Sequence, residues 1–224
     1  LVVMEAFHWR YHPAAARITE LVASGVLGRV ERVEAAFDIP DGGIPRGDIR
    51  WDVALGGGAT MDLGCYPIQW VRHAVAATGD TAVPSVTVAS AVEPEPGIDG
   101  SLVAELTWPS GVTGRIGSSM IAASGEVTAY LVVQGALGTL TVVNPLAPQT
   151  RPAELRIDTL ASGGAVTVEP LAATATYWHQ LVAFRDAIVH GLAFPTTAAD
   201  GVRNMRVIDA CYRAASLEPR PTLV

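Results

Sequence analysis

The chain has 224 residues, half of them apolar and 17% charged, with 15 basic against 22 acidic side chains for a net charge of −7. That composition gives a globular protein with material for a real core, and an acidic balance without a basic run excludes nucleic acid and anionic membrane as partners. All the basic residues are arginine, which removes Schiff-base chemistry and a phosphate-loop lysine from these residues.

In chain order, residues 1–7 form a short apolar run of strand character, and Tyr11, His12 and Pro13 punctuate it before a helical period begins. Pro13 suits a first helical turn, Ile18, Leu21 and Val22 give one apolar face, and Gly25 and Gly28 close the helix. Residues 30–37 alternate as a strand does, and 40–47, rich in Gly, Pro and Asp, read as a loop. After Gly56, Gly57 and Gly58 a helix is predicted to about residue 77, with Met61, Cys65, Ile68, Val71 and Val75 on one stripe and Asp62, Tyr66, Gln69 and His73 on another.

From 84 to 168 the texture changes to Val, Thr and Ser between Gly and Pro, predicting strands at 85–92, 101–108, 112–119, 126–134, 138–143, 154–159 and 165–169. Hairpin-length turns without intervening helices imply a mostly antiparallel sheet. Two helices close the chain, the first marked by Tyr177, Leu181, Phe184 and Ile188 and ended by Gly191, the second begun by Thr197 three residues before Asp200 in a capping pattern. The fold class is therefore α+β, an open sheet with helices on one face, and the uncovered face is expected to meet another subunit. Cys65 and Cys211 read as buried thiols of a reducing compartment. With no apolar run near the ~20 residues a bilayer demands, and no basic region leading an apolar stretch, a cytoplasmic location is expected.

No GxGxxG is present, because Met61 stands where the third glycine of a frame from Gly56 would fall. The glycine run then reads as a chain reversal into a helix whose first amides could hold an oxyanion or ligand hydroxyl. Glu5, His8 and His12 do not make a metal site, since i, i+4 histidines converge only on a helix and Pro13 follows them directly; His8 reads as a polar group near a strand end, while His12 could reach a pocket. Asp62 and Tyr66, four apart on one helix, put a carboxylate near a phenol, which serves as proton donor or acceptor to an alcohol or carbonyl when a cation lowers its pKa from ~10. On spacing alone the favoured reading is a half-buried tyrosine satisfied by hydrogen bonding.

Four ordered blocks carry a resemblance: Met4 to Phe7, Arg10 to Pro13, the three glycines leading to Asp62, Gly64, Cys65, Tyr66 and Pro67, and residues 197–210. Together they resemble the glucose-fructose oxidoreductase and inositol dehydrogenase (Gfo/Idh/MocA) family, nearest its dihydrodiol dehydrogenase and glucose-fructose oxidoreductase branch. The resemblance implies that residues 1–12 are the remnant of the last strand and crossover of a nucleotide-binding domain. Residues 13–224 would then be a substrate-binding and dimerisation domain of the glyceraldehyde-3-phosphate dehydrogenase-like C-terminal type, with the N-terminal Rossmann domain absent. Because Leu1 opens in mid-run, the chain is expected to be a piece of something longer.

By the same resemblance, Tyr66 is the catalytic tyrosine, Asp62 its partner, and Arg10, His12, Arg50 and Trp51 bind substrate oxygens. NAD or NADP would be held mainly by the N-terminal domain, since no side chain accepts a hydride. The implied activity is oxidation or reduction of a small-molecule sugar, polyol or cyclic diol by a homo-oligomer joined through the sheet face, the present chain alone being inactive. The rival reading is a stand-alone, non-catalytic ligand-binding or assembly domain.

Overall fold

The computed structural model describes residues 1–220. Residues 1–7 form no strand. An apolar run becomes one only against a neighbour that takes its amides, and here Glu5 N–H reaches a loop, donating to the Thr196 carbonyl at 2.8 Å. The chain then tightens into a 3-10 turn at His8–Tyr11, with His8 and Trp9 buried. Helix α1, Pro13–Ala23, starts on its proline, and the His12 ring accepts the Ala14 N–H, satisfying one of the amides a helix start leaves free.

Eight strands build one sheet: β1 (Val30–Pro40), β2 (Ser85–Val92), β3 (Ser101–Thr107), β4 (Thr113–Ala122), β5 (Thr128–Gly135), β6 (Gly138–Val143), β7 (Glu154–Thr159) and β8 (Val166–Pro170). Their order is β2-β3-β4-β1-β5-β6-β7-β8. The picture of consecutive hairpins needs correction at one place. β1 enters between β4 and β5, parallel to the first and antiparallel to the second. As the central strand it buries Val33, Ala35 and Phe37 on the helix side, and even Ala36 on the opposite side is only 7% exposed.

Three more helices follow: α2 (Cys65–Ala76), α3 (Thr176–His190) and α4 (Ala198–Ala214). α2 lies against β1, β4 and β5, α4 against β2 and α2, and α3 against the N-terminal 3-10 turn. The core joins Ile68, Val71 and Val75 of α2 to Val33, Ile116, Leu131 and Val133 of the sheet, all essentially inaccessible, each stabilising by ~1.5–3 kcal/mol relative to exposure. The sheet's other face carries Arg32, Glu34, Glu105, Arg115 and Tyr130, tied by Arg115–Glu105 (2.8 Å), Arg32–Glu105 (3.3 Å) and Tyr130–Glu34 (3.1 Å) contacts. No helix of the described residues is long and apolar enough to cross a membrane. Cys65 and Cys211 are free thiols, partly and fully buried.

Candidate active site

The loop before α2 is built by short polar side chains closing turns. Asp48 accepts the Arg50 N–H and Asp52 the Ala54 N–H, starting 3-10 turns at Ile49–Trp51 and Val53–Leu55 that the sequence pattern does not reveal. Gly58 follows with φ at +124°, and a Cβ there would collide with the Asp99 carboxylate and the Arg220 guanidinium. Asp99, wholly buried, accepts from Thr60 N (2.8 Å), Thr60 Oγ1 (2.6 Å), Tyr212 OH (3.0 Å) and Arg220 Nη2 (2.8 Å).

This corrects the idea that the glycine run offers amides to a ligand. Gly57 N donates to Asp52 O, Gly58 N to Arg50 O, and Ala59 N to Asp99 O. The anion stabilised at the helix start is the chain's own Asp99. The helix itself opens with a π-helical turn at Thr60–Gly64, a form often found at functional sites, and becomes regular at Cys65. Gly64 lets this turn lie on β4, where a Cβ would sit 2.9 Å from Ser118 Oγ.

Asp62 and Tyr66 both project from this entry. Asp62 Oδ2 accepts from Arg50 Nε at 2.6 Å, and Arg50 Nη1 donates to Asp48 Oδ1 at 3.0 Å. The Tyr66 ring is enclosed by Phe7 (centroids 5.6 Å), His8 (5.9 Å), Phe37 (6.0 Å) and Trp70 (6.3 Å). No protein group among the described residues hydrogen-bonds its hydroxyl. Burial, then Cys65, Tyr177, Asp62 and Glu5, push its pKa well above that of a free phenol, so it is a neutral proton donor.

Tyr66, Asp62 and Arg50 meet in a cavity of about 360 Å³ together with His8, Phe37 and Tyr177. His8 and Tyr177 were not legible as site residues. His8 is buried, Nδ1 2.7 Å from Thr176 Oγ1, its ring stacked on Tyr177 at 3.9 Å. Burial lowers its pKa to about 4, so it is uncharged near neutrality. A contact spanning 168 residues of sequence leaves no local pattern, and Tyr177 reads as an ordinary apolar helix position.

Arg10, His12 and Trp51 do not join this cavity. Trp51 is buried, its Nε1 donating to Ile44 O at 3.3 Å and its face covered by Arg46 at 4.0 Å. His12, besides capping α1, reaches Ala172 O with Nε2 at 3.0 Å. Arg10 lines a different cavity, with Arg72, His73 and Asp200.

The chain thus has a mostly antiparallel sheet, covered on one face by helices, with a tyrosine unpartnered among the described residues and an Arg–Asp pair at the entry of the crossing helix. Residues 15–141 match the family described as the GFO/IDH/MocA C-terminal domain, and the chain belongs to that family. It is 35% identical over 219 residues to D-xylose 1-dehydrogenase (NADP(+)) 2 of Haloferax volcanii, covering 96% of this chain and 62% of that enzyme. The 3-ketoreductase of Actinomadura kijaniata, solved with NADP and TDP-benzene, superposes with a TM-score of 0.80 at 26% identity, over 96% of this chain and 62% of that one. The aldose-aldose oxidoreductase of Caulobacter crescentus, solved with glycerol, shares the fold at a TM-score of 0.79 and 24% identity, over 96% and 62%.

These alignments overturn one part of the expected fold class, the absent N-terminal Rossmann domain. Nearly the whole chain, 96%, aligns with 62% of the length of full enzymes of the family, which gives no support to a protein lacking that domain. The apolar opening at Leu1 is no evidence for it either, since residues 1–7 are not an orphaned strand.

Proposed function

We propose that this chain is the substrate-binding part of an NAD(P)-dependent oxidoreductase acting on a sugar, polyol or cyclic diol. The observation that carries the reading is the Tyr66 hydroxyl, free of protein partners among the described residues, on a residue that lines one cavity with the Arg50–Asp62 pair. The named activities of the family relatives support it.

Of a nicotinamide nucleotide, the residues present fit one end and not the other. They offer no cradle for its phosphates, because the amides at the start of the α2 segment are internally bonded. They do fit its ring end: Tyr66 also borders a cavity of about 250 Å³ walled by Phe7, Met61, Met205 and Ile208. A nicotinamide held there supplies the hydride that no side chain can.

The chain's own part follows from its geometry. Phe37 and Tyr177 line the cavity as apolar surface for the C–H side of a sugar, while Arg50 and Asp62 offer a donor and an acceptor to neighbouring hydroxyls. Tyr66, neutral because it is buried, gives its proton to a carbonyl oxygen as that oxygen gains charge. His8, held by Thr176 and stacked on Tyr177, fixes the wall opposite. The sheet's open face meets a second copy of the chain. In the assembled enzyme Tyr66→Phe is expected to lower kcat by roughly a hundredfold or more with little change in melting temperature; unchanged turnover with a lowered melting temperature would make Tyr66 a packing residue only.

A further inference from the structure

A separate cavity of about 300 Å³ opens between the N-terminal 3-10 turn, α2 and the start of α4, and it shares no lining residue with the Tyr66 cavity. Three guanidiniums face it, from Arg10, Arg72 and Arg203, against the single carboxylate of Asp200. That carboxylate is already engaged, by Arg72 Nη2 at 2.8 Å, Gln69 Nε2 at 3.0 Å and, more loosely, Arg203 Nη2 at 3.5 Å. The other Arg72 amine donates to Asn204 Oδ1 at 2.9 Å.

Among the described residues the Arg10 guanidinium has one hydrogen-bonding contact, to His73 Nε2 at 3.5 Å, and that nitrogen lies 2.9 Å from the Ala15 carbonyl. A carbonyl only accepts, so His73 Nε2 carries the ring proton and has no lone pair for Arg10. Burial, with Arg10 beside it, lowers the His73 pKa to about 3, so the ring adds no charge. Burial likewise lowers the pKa of Arg10. The carboxylate acting on Arg10 is Asp200, and it is already shared by Arg72, Gln69 and Arg203. An arginine with no acceptor of its own among the described residues, at the wall of an open cavity, is what an anion site requires.

We propose that this cavity binds a small oxyanion of the phosphate class, with the Arg10 guanidinium as its principal contact and Arg203 and the Thr81 hydroxyl at its rim. The planar fork of an arginine matches two oxygens of such an anion, and the excess of guanidinium over carboxylate matches more than one negative charge. The site does not depend on the chemistry assigned to Tyr66, and its test needs no turnover.

The experiment is calorimetric titration of the full chain with inorganic phosphate near neutral pH, at constant ionic strength, with acetate as the singly charged comparison. Saturable phosphate binding is expected, weaker with acetate, and reduced by about tenfold or more in Arg10→Gln. Arg203→Gln, at the exposed rim, is expected to weaken it in the same direction and serves if Arg10→Gln does not fold. Arg29→Gln, at an exposed site paired with Glu31, is expected to leave it unchanged. Absence of saturable phosphate binding, acetate binding as tightly as phosphate, or an affinity unmoved by Arg203→Gln or by a folded Arg10→Gln each overturns the proposal.

Discussion

The Arg50 guanidinium holds the Asp62 carboxylate at 2.6 Å, so Asp62 is oriented by the loop before the helix rather than by Tyr66, one turn further on. Both side chains are partly exposed, 39% and 28%, and pairs of that kind contribute at most ~1 kcal/mol. The consequence is a separation of effects. Asp62→Asn and Arg50→Gln are each expected to change unfolding free energy by less than ~1 kcal/mol, while raising KM for a sugar substrate by about tenfold in the assembled enzyme. A double-mutant cycle in KM is expected to show strong coupling, and additive effects would mean that the two act on substrate independently.

Gly58 allows the loop to pass directly over Asp99. Its φ of +124° belongs to a region that side chains avoid, and the space a Cβ would need is taken by Asp99 and Arg220. Gly58→Ala is expected to destabilise by ~2 kcal/mol or more, read as a shift of the urea midpoint with an unchanged m-value. A neutral result would show that the Asp99 cluster moves easily, contrary to its four inward hydrogen bonds.

What could be read in the sequence follows how local each signal was. The seven strands after residue 84 and the Thr197 cap rest on alternation, turn residues and a spacing of three, all visible within a few positions, and Thr197 Oγ1 does accept the Asp200 N–H. Asp62 and Tyr66 came from helical spacing, and Arg50 from family likeness. The parallel insertion of β1, the capping of Thr60 by Asp99 and the docking of His8 on Thr176 depend on pairings between distant segments that no local pattern encodes. Arg10 was assigned to the substrate by family likeness, yet it and His8, two positions apart in one tight turn, line different cavities.

Stability is expected to fall as pH drops below neutrality, through histidines buried in the uncharged form. Burial lowers His73 to about 3 and His8 to about 4, from 6.5. Below 6.5 the unfolded chain binds protons that the folded chain refuses, so this stability is present above 6.5 and lost as pH falls toward the folded values. Each group adds a slope of up to ~1.4 kcal/mol per pH unit. Arg10 and Asp200 are the charges acting on His73, and the window from pH ~6.5 to ~5 lies between its unfolded and folded values. Urea titrations across that window are expected to give a shallower slope in His73→Gln than in the parent chain. Identical slopes would mean that His73 is not held neutral.

The open sheet face makes the last prediction. Strand register aligns Ser90, Val103, Gly117, Ala36, Tyr130 and Val143 in one row across it. The small side chains near the middle of that row leave room for a second surface to approach, while Val88 and Val168, 62% and 51% exposed, extend the apolar area in the next row. Between them Glu105 pairs with both Arg115 and Arg32, and Glu34, which accepts from Tyr130, offsets the second guanidinium, so covering this row buries no net charge. If two copies meet here about a two-fold axis, any change at Val103 enters the interface twice. Val103→Glu is therefore expected to shift the protein from dimer to monomer in sedimentation velocity. Its melting temperature, taken at a concentration where the parent is also dissociated, should be nearly unchanged, because the side chain lies on the uncovered face. A parent chain that is monomeric throughout, or a Val103→Glu variant that remains dimeric, would remove the second copy from this face.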